Sequence, residues 1–569
     1  MRARISFADE PTAFGAVDHG LEGVSTSTAE EPTLPKFTRH RLTATVMIAG
    51  LALTPSCTAS NSSTNRVVEP IVTGSTLHTI NGLALAPDGR ILAAGLASET
   101  ISEINPKTGE VSEVVAQPDG RSDDLVVTPS GDILWTDSLA GSVKRRDSDG
   151  HTRTVAQDLP GVNSIAFDRS GQHLYVGQTF LADGLWEIDP GGAVPPRLVA
   201  RDIGGLNAFA FGSDGMIYGP IGKRDEVVRI DPGSGAAVTL AAGFRQPVSV
   251  RFDTRDQLYV LDGATGELIR VDPTTGEKVT VAVVPAAADN MVIGPTDHAY
   301  VSNMADSSVL EVDLADGNTR TLTQSPLAYP RDIAVEDGTI YVADSTALRT
   351  VDPADGTVTE IARRLSSELE FPSGISASRE HLVLTSELIG TVQVLDRTTG
   401  QPIHEFHGFD RPADAVELAD GSLVISEPSR GRLLRVFGED RRPYAEGIGA
   451  PTGLAVTGEG DVLVTDTAGG RLLKIGATTQ TVTQVASELG APRAIAIAPD
   501  GSLAVLDTAV GRVLSVDPLT DEHQILAQDL AVGYLTQPYG RSGGLAIGSD
   551  GTIFVSADRE NSVYAIRRP

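Results

Sequence analysis

A single cysteine, Cys57, stands in the 569 residues of this chain, so neither an intrachain disulfide nor a multi-thiolate metal centre can be built. Basic residues are outnumbered, 45 against 75 acidic, for a formal charge of -30. That field repels phosphate backbones and anionic headgroups, which excludes nucleic acid as a partner, and otherwise reads as a solvated surface. Long apolar runs are missing, and the longest is too short to span a bilayer. After Arg66 no segment sustains apolar residues at i, i+3, i+4 and i+7, so helical repeats are excluded too. Absent as well are G-x-S-x-G, H-E-x-x-H and G-x-x-x-x-G-K, and with them the sequence signatures of a nucleophile elbow, a zinc protease and a P-loop.

What is abundant is turn chemistry. The 59 Gly and 33 Pro are spread along the chain instead of pooled in tracts, which reads as many hairpins. In the last residues, GLAIGSDGTIFVSADRENSVYAIRRP, three alternating runs (LAIG, TIFVSA, SVYAIR) are separated by SDG and DREN. Alternation bounded by Gly, Asp and Asn predicts three antiparallel strands. Upstream copies carry a fourth run, as TVTQVAS does after GLAVTGEGDVLVTDTAGGRLLKI. Four-stranded units recurring at about 41 residues fall in the range of propeller blades.

Twelve such units follow residue 78, opening at INGLALAPDG and closing with GGLAIGSDG. Propellers close with four to eight blades, so twelve divide most simply into two rings of six, with a seam near Pro330. The expected architecture is all-β, two tandem six-bladed β-propellers over residues 67–330 and 331–569. An unclosed ring exposes a strand edge, so a strand from elsewhere must complete the last blade. Residues 67–74, VVEPIVTG, are expected to complete the sixth blade, and residues 318–324, NTRTLTQ, the twelfth. The competing closure pairs residues 67–74 directly with the terminal blade and ties the rings together.

Residues 1–57 read as a leader and export signal. Lys36, Arg39 and Arg41 precede an apolar stretch from Leu42 to Leu53, and small residues precede Cys57. The arrangement resembles a bacterial lipoprotein signal, which implies lipidation of Cys57, with residues 58–66 as a flexible tether. Pro55 departs from that pattern, and a plain cleaved signal is the alternative. Either way the chain is expected to be exported, membrane-anchored or secreted, touching membrane only through a lipid, and to act as a monomer.

Units such as LYVLDGATGELIRVDPTTG resemble NHL repeats and, more broadly, the propellers of the regucalcin/gluconolactonase and streptogramin-lyase families, across residues 67–569. That likeness bears on architecture, because one fold hosts binders, hydrolases and lyases.

The residue just before each inner strand rings a channel mouth. In the first ring these are Asn81, Asp123, Asn163, Asn207, Val248 and Asp289, with Asn290 beside the last. Converging oxygen donors suit a hard cation such as Ca2+. The regucalcin resemblance implies Asn81, Asp123, Asn163 and Asn207 as metal ligands, although the family's glutamate has no counterpart here. Turn chemistry alone also favours Asn and Asp at such positions. With a metal, lactone or ester hydrolysis follows, and Asp123 or Asp289 would be the base.

In the second ring the positions read Arg331, Ser373, Ala413, Thr452, Arg493 and Gly543. Arg331 and Arg493 suggest an anion site, or else structural pairing with the neighbouring Asp332 and Asp414. His404 and His407 of HEFH fall on a strand, where i and i+3 face opposite ways. Asp137, Asp262, Asp344, Asp466 and Asp507 end second strands in blade after blade, a structural recurrence. Two functions remain open: a module binding a small molecule or a protein at its channel mouths, and a metal-dependent lactonase using the first ring.

Overall fold

The computed structural model describes residues 66–536 and 540–568. The leader, Cys57 and all of the tether before Arg66 lie outside the described residues.

Twelve four-stranded antiparallel sheets follow one another, each a blade, with one extra ribbon of Leu535–Thr536 and Gly540–Arg541. Blade 1 runs Ile80–Leu85, Ile91–Gly95, Thr100–Ile104, Val111–Val115, and blade 6 ends the first ring with Ala288–Ile293, His298–Asn303, Ser308–Asp313 and Thr319–Thr323. Blade 7 opens the second ring at Asp332–Glu336. No helix among the described residues is long and apolar enough to cross a membrane.

Burial follows strand position. Second strands such as Ile133–Asp137, Leu258–Asp262 and Val462–Asp466 are buried at every residue, because neighbouring blades cover both faces of each. Fourth strands such as Val482–Ala486 form the outer edge of the blade and expose their first three residues, burying only the last. The core is a circuit of apolar layers between blades. Leu77, Ile80, Leu83 and Val309 join blade 6 to blade 1 and close the first ring. Ile333, Ile340 and Val351 meet Ala546, Phe554 and Val563 and close the second.

The closure corrects the expectation. Val67–Val72 completes the twelfth blade, with Val67 opposite Arg567 and Pro70 opposite Tyr564. Thr319–Thr323 stays in the sixth blade beside Ser308–Asp313. The competing arrangement is therefore the one adopted, and residues 67–72 belong to the second ring. The physical reason is economy of edges: the sixth blade already has four strands of its own, and only the twelfth is one short.

Two chain segments consequently cross between the rings. On the first, Asn561 Nδ2 donates to the carbonyls of Ser75 (2.9 Å) and Leu77 (2.6 Å), and Thr79 N donates to Ser307 Oγ (2.8 Å). His78, on the same segment, is buried between the Tyr329 and Tyr534 rings, 5.6 and 5.0 Å away. The second crossing, residues 324–330, is held where the Asp344 carboxylate accepts the Ala328 and Tyr329 amides. Further bonds tie blade 6 to blade 7: Thr346 Oγ1 to Met304 O (3.0 Å), Arg349 Nη2 to Ala305 O (2.6 Å) and Arg363 Nη1 to Ala286 O (2.7 Å).

Candidate functional site: the two channel mouths

Each inner strand starts beside the ring axis, so the residues at its start are carried to the mouth; Asn81, Asn163 and Asp289 are each the second residue of their strand. In the first ring Asn81, Asp123, Asn163 and Asp289 come together there. Asn163 Nδ2 donates to Asp123 Oδ2 at 2.5 Å, and Asn81 hydrogen-bonds to Asp289. Asn207 turns away from this set, its Oδ1 accepting the Ala208 amide at 2.9 Å, which is the turn chemistry Asn offers at a strand start. Val248 is buried and contributes only packing. Asn81 Oδ1 is buried without a hydrogen-bond partner.

Burial dominates the electrostatics. It pushes the Asp123 carboxyl well above the carboxylate range, and the nearby Asp289 and Asp124 charges push it further. Asp289 rises to about 6 through burial, despite Arg364 of the second ring and the Asn81 hydrogen bond. Arg364 comes from the segment after blade 7's last strand. There Leu365 packs against the backbone at Gly263, and the Arg364 guanidinium stacks 4.0 Å from the Phe371 ring centroid. The first ring's mouth is thus faced by a cation supplied by the second.

Asp124, which sequence reasoning missed, has a different role. Its carboxylate accepts the Leu125 amide (3.0 Å) and the Ile165 amide of the next blade (3.3 Å), and Asn290 Nδ2 binds it at 3.1 Å. Asp332 spans Ile333 and Ile375 (2.9 and 3.1 Å), and Asp414 spans Ala415 and Leu454 (both 2.7 Å). These three carboxylates rivet one inner strand to the next. The signal was available, since all three directly follow the mouth position.

The second ring's mouth is built on Glu387, also missed. Its carboxylate receives Arg331 Nη2 at 2.5 Å and Arg493 Nη2 at 3.2 Å, and its backbone amide donates to Ser373 Oγ at 2.9 Å. The arginines therefore pair with Glu387, Arg331 from the neighbouring blade and Arg493 from across the ring, not with Asp332 and Asp414, which the backbone amides claim. Burial works against the Arg331 charge, yet Glu387 holds its guanidinium above the ordinary value. Burial raises Asp332 to about 6 and Asp414 well above the usual range. Thr452 joins a hydroxyl chain with Thr465 (2.9 Å) and Thr467 (2.7 Å). Below lies an axial cavity of about 50 Å³ bordered by Asp332, Asp414 and Arg493, room for a water or two.

The second-strand aspartates bond turn amides, as expected. Asp262 accepts Arg245 N (2.6 Å) and Thr265 N (3.2 Å), and Asp466 accepts Ala450 N (2.8 Å), Gly469 N (3.0 Å) and Arg471 Nε (2.9 Å). Asp137, Asp344 and Asp507 do the same. Each clamps the incoming connection from the previous blade, and Asp558 repeats the device in blade 12. Among the described residues no group of three or more His, Cys, Asp or Glu side chains is placed to hold a metal ion.

Twelve four-stranded wedges in two closed rings define a β-propeller repeat protein. A family model described as PQQ_2, outer membrane protein assembly factor BamB, matches residues 126–440, more than half of the sequence, and the chain belongs to that family. The match runs from blade 2 to blade 9 and crosses the seam between the rings, so it reads the blade repeat and not the ring count. The likeness to NHL and regucalcin repeats reduces at this level to a shared propeller blade. No curated protein matches the sequence. Two solved structures of the extracellular domain of BT4673 from B. thetaiotaomicron, titled as a hybrid two-component and a one-component system, are similar at 10% identity and a TM-score of 0.31 each. They cover 86% and 88% of this chain, and 70% and 82% of their own.

Proposed function

We propose that this chain is an exported double β-propeller that binds a ligand or protein at its channel mouths. The order of basic, apolar and small residues before Cys57 supports export and anchoring through a lipid at that cysteine. The observation that carries the binding reading is the tethering of the first mouth's acid groups: Asp123 is held by Asn163 and Asp289 by Asn81. Polar groups fixed by one another suit recognition, whereas a general base needs a free lone pair within reach of its proton. The family's description as an assembly factor favours a protein partner. Site-specific photo-crosslinking tests this in the native host. A crosslinker replacing Asn207 at the mouth is expected to give a discrete adduct, and one replacing Val238 on an outer strand is expected to give none. Identical behaviour at both positions overturns the proposal.

One observation favours the second reading, a Ca2+-dependent lactonase: Asn81 Oδ1 is buried and unpartnered, on the side chain that hydrogen-bonds the Asp289 carboxyl. Asn81, Asp123 and Asn163 would hold the ion, which would polarise an ester carbonyl, and Asp289 would take the proton. Asn207 fits poorly, its oxygen being turned to its own strand. Calorimetric titration with calcium discriminates. Binding lost in Asn163→Ala supports a lactonase, and silence at millimolar calcium removes it.

A further inference from the structure

Blades 1 and 2 part at the end of the ring away from the mouth, where their inner strands finish at Leu85 and Val127. Between them lies a cavity of about 360 Å³, within the range of small-molecule sites. One wall is apolar: Leu92, Val114, Val127 and Ile133 belong to the layer that joins the two blades, and Val114 and Val127 are half-buried.

The charged groups at the rim are almost all engaged. Arg90 pairs with Asp88 at 2.7 Å and with Glu103, which also receives Ser112 Oγ at 3.0 Å. Asp147 accepts the Asp149 and His151 amides at 3.1 and 2.8 Å and has the His151 ring at 3.6 Å. Arg146 is the exception. It borders the cavity, half-buried, with its guanidinium beside Gly150, and among the described residues it makes no ion pair and no side-chain hydrogen bond. Gly150 adopts φ +87 and has no side chain to crowd that guanidinium. A planar fork of donors without an acceptor, set over an apolar wall, is complementary to a carboxylate on an apolar body.

We propose that this cavity binds an amphipathic monocarboxylate, its apolar body on Leu92, Val114, Val127 and Ile133 and its carboxylate on Arg146. Two sources share that chemistry: a free aryl or alkyl acid, and the C-terminal carboxylate of a polypeptide ending in an apolar side chain. The site is separate from the mouths and does not depend on what they bind.

Calorimetry on the purified chain tests it with four probes: 4-phenylbutyrate, 4-phenylbutanol, acetyl-Val-Leu as the free acid, and its C-terminal amide. At least one acid is expected to bind 10-fold or more tighter than its neutral counterpart. Arg146→Gln is expected to abolish that preference with the fold intact by circular dichroism, and Val127→Asp to weaken acid and neutral probe together. Trp135, buried in the same interblade layer, supplies a fluorescence readout that persists in Trp186→Phe. Preference for phenylbutyrate identifies a free acid, and preference for the peptide acid identifies a chain terminus. No binding of either acid at millimolar concentration overturns the proposal. So does equal binding of acid and neutral forms, or a preference that survives Arg146→Gln.

Discussion

Val68, in the first strand, lies directly opposite Ile566, in the last, so two residues almost five hundred positions apart are neighbours in one sheet. The pairing does more than finish a blade. It returns the start of the described chain to the second ring before the chain enters the first, and so doubles the covalent connection between the rings.

That closure is exposed to truncation. A chain beginning at Thr73 instead of Arg66 leaves the edge of Ser562–Arg567 bare, which templates pairing between molecules. Light scattering is expected to show association that the longer chain does not show. Gly74→Val attacks the same seam, because its Cβ would sit 2.2 Å from the Asn561 carbonyl oxygen. It is expected to cost about 2 kcal/mol or more in urea unfolding.

The blade clamps are expected to be stability residues and not catalytic ones. Asp466→Ala leaves the Ala450 and Gly469 amides and Arg471 without their acceptor. A loss of about 2–3 kcal/mol is expected from the urea midpoint, with any binding at the mouths retained after refolding.

Glu387 is the acceptor for two buried guanidiniums. Glu387→Ala strands both and is expected to destabilise by about 3–5 kcal/mol. Replacing all three residues by Met or Leu is expected to recover most of that loss, which equilibrium unfolding of the two variants would check.

Asp289 carries a pH signature. Burial raises it to about 6 from its ordinary 3.8, so it favours the fold while protonated, and that contribution disappears as pH rises through about 6. Asp289→Asn removes the charge while still accepting from Asn81. The variant is expected to be the more stable protein at pH 7, by on the order of 2 kcal/mol, and to match the wild type below about pH 4. Denaturation at several pH values measures the crossover.

Cys57 tests the membrane assignment. Labelled palmitate is expected to enter the wild-type chain in a bacterial host and to be absent from Cys57→Ser, with the variant moving from the membrane to the soluble fraction.

The blades were legible because their causes are local. Alternating apolar residues, D-G turns and the Asp ending several of the second strands recur within a few residues, and backbone sterics translate them directly into hairpins. Asn81, Asp123, Asn163 and Asp289 could be placed at one mouth for the same reason, since each occupies the same step of its own repeat. Asn207 shares that step in sequence, but its blade has only the short inner strand Ala210–Phe211 and its Oδ1 accepts the Ala208 amide.

Glu387, Arg364 and Arg146 were not legible. Glu387 lies in a turn of blade 8, and nothing near it in sequence indicates that Arg331 and Arg493 converge there from blades 7 and 11. Arg364 faces Asp289 only because the rings abut, and Arg146 is conspicuous only once every charge around it has found a partner. The amino-acid sequence by itself determined twelve pleated wedges and the residues each presents at the axis, because strand pairing between sequence neighbours costs little chain entropy. Which ring the strand Val67–Val72 joins, and which charges meet across the axis, was decided by tertiary structure alone, because only closure in space shows which edge is bare and which carboxylate is already taken.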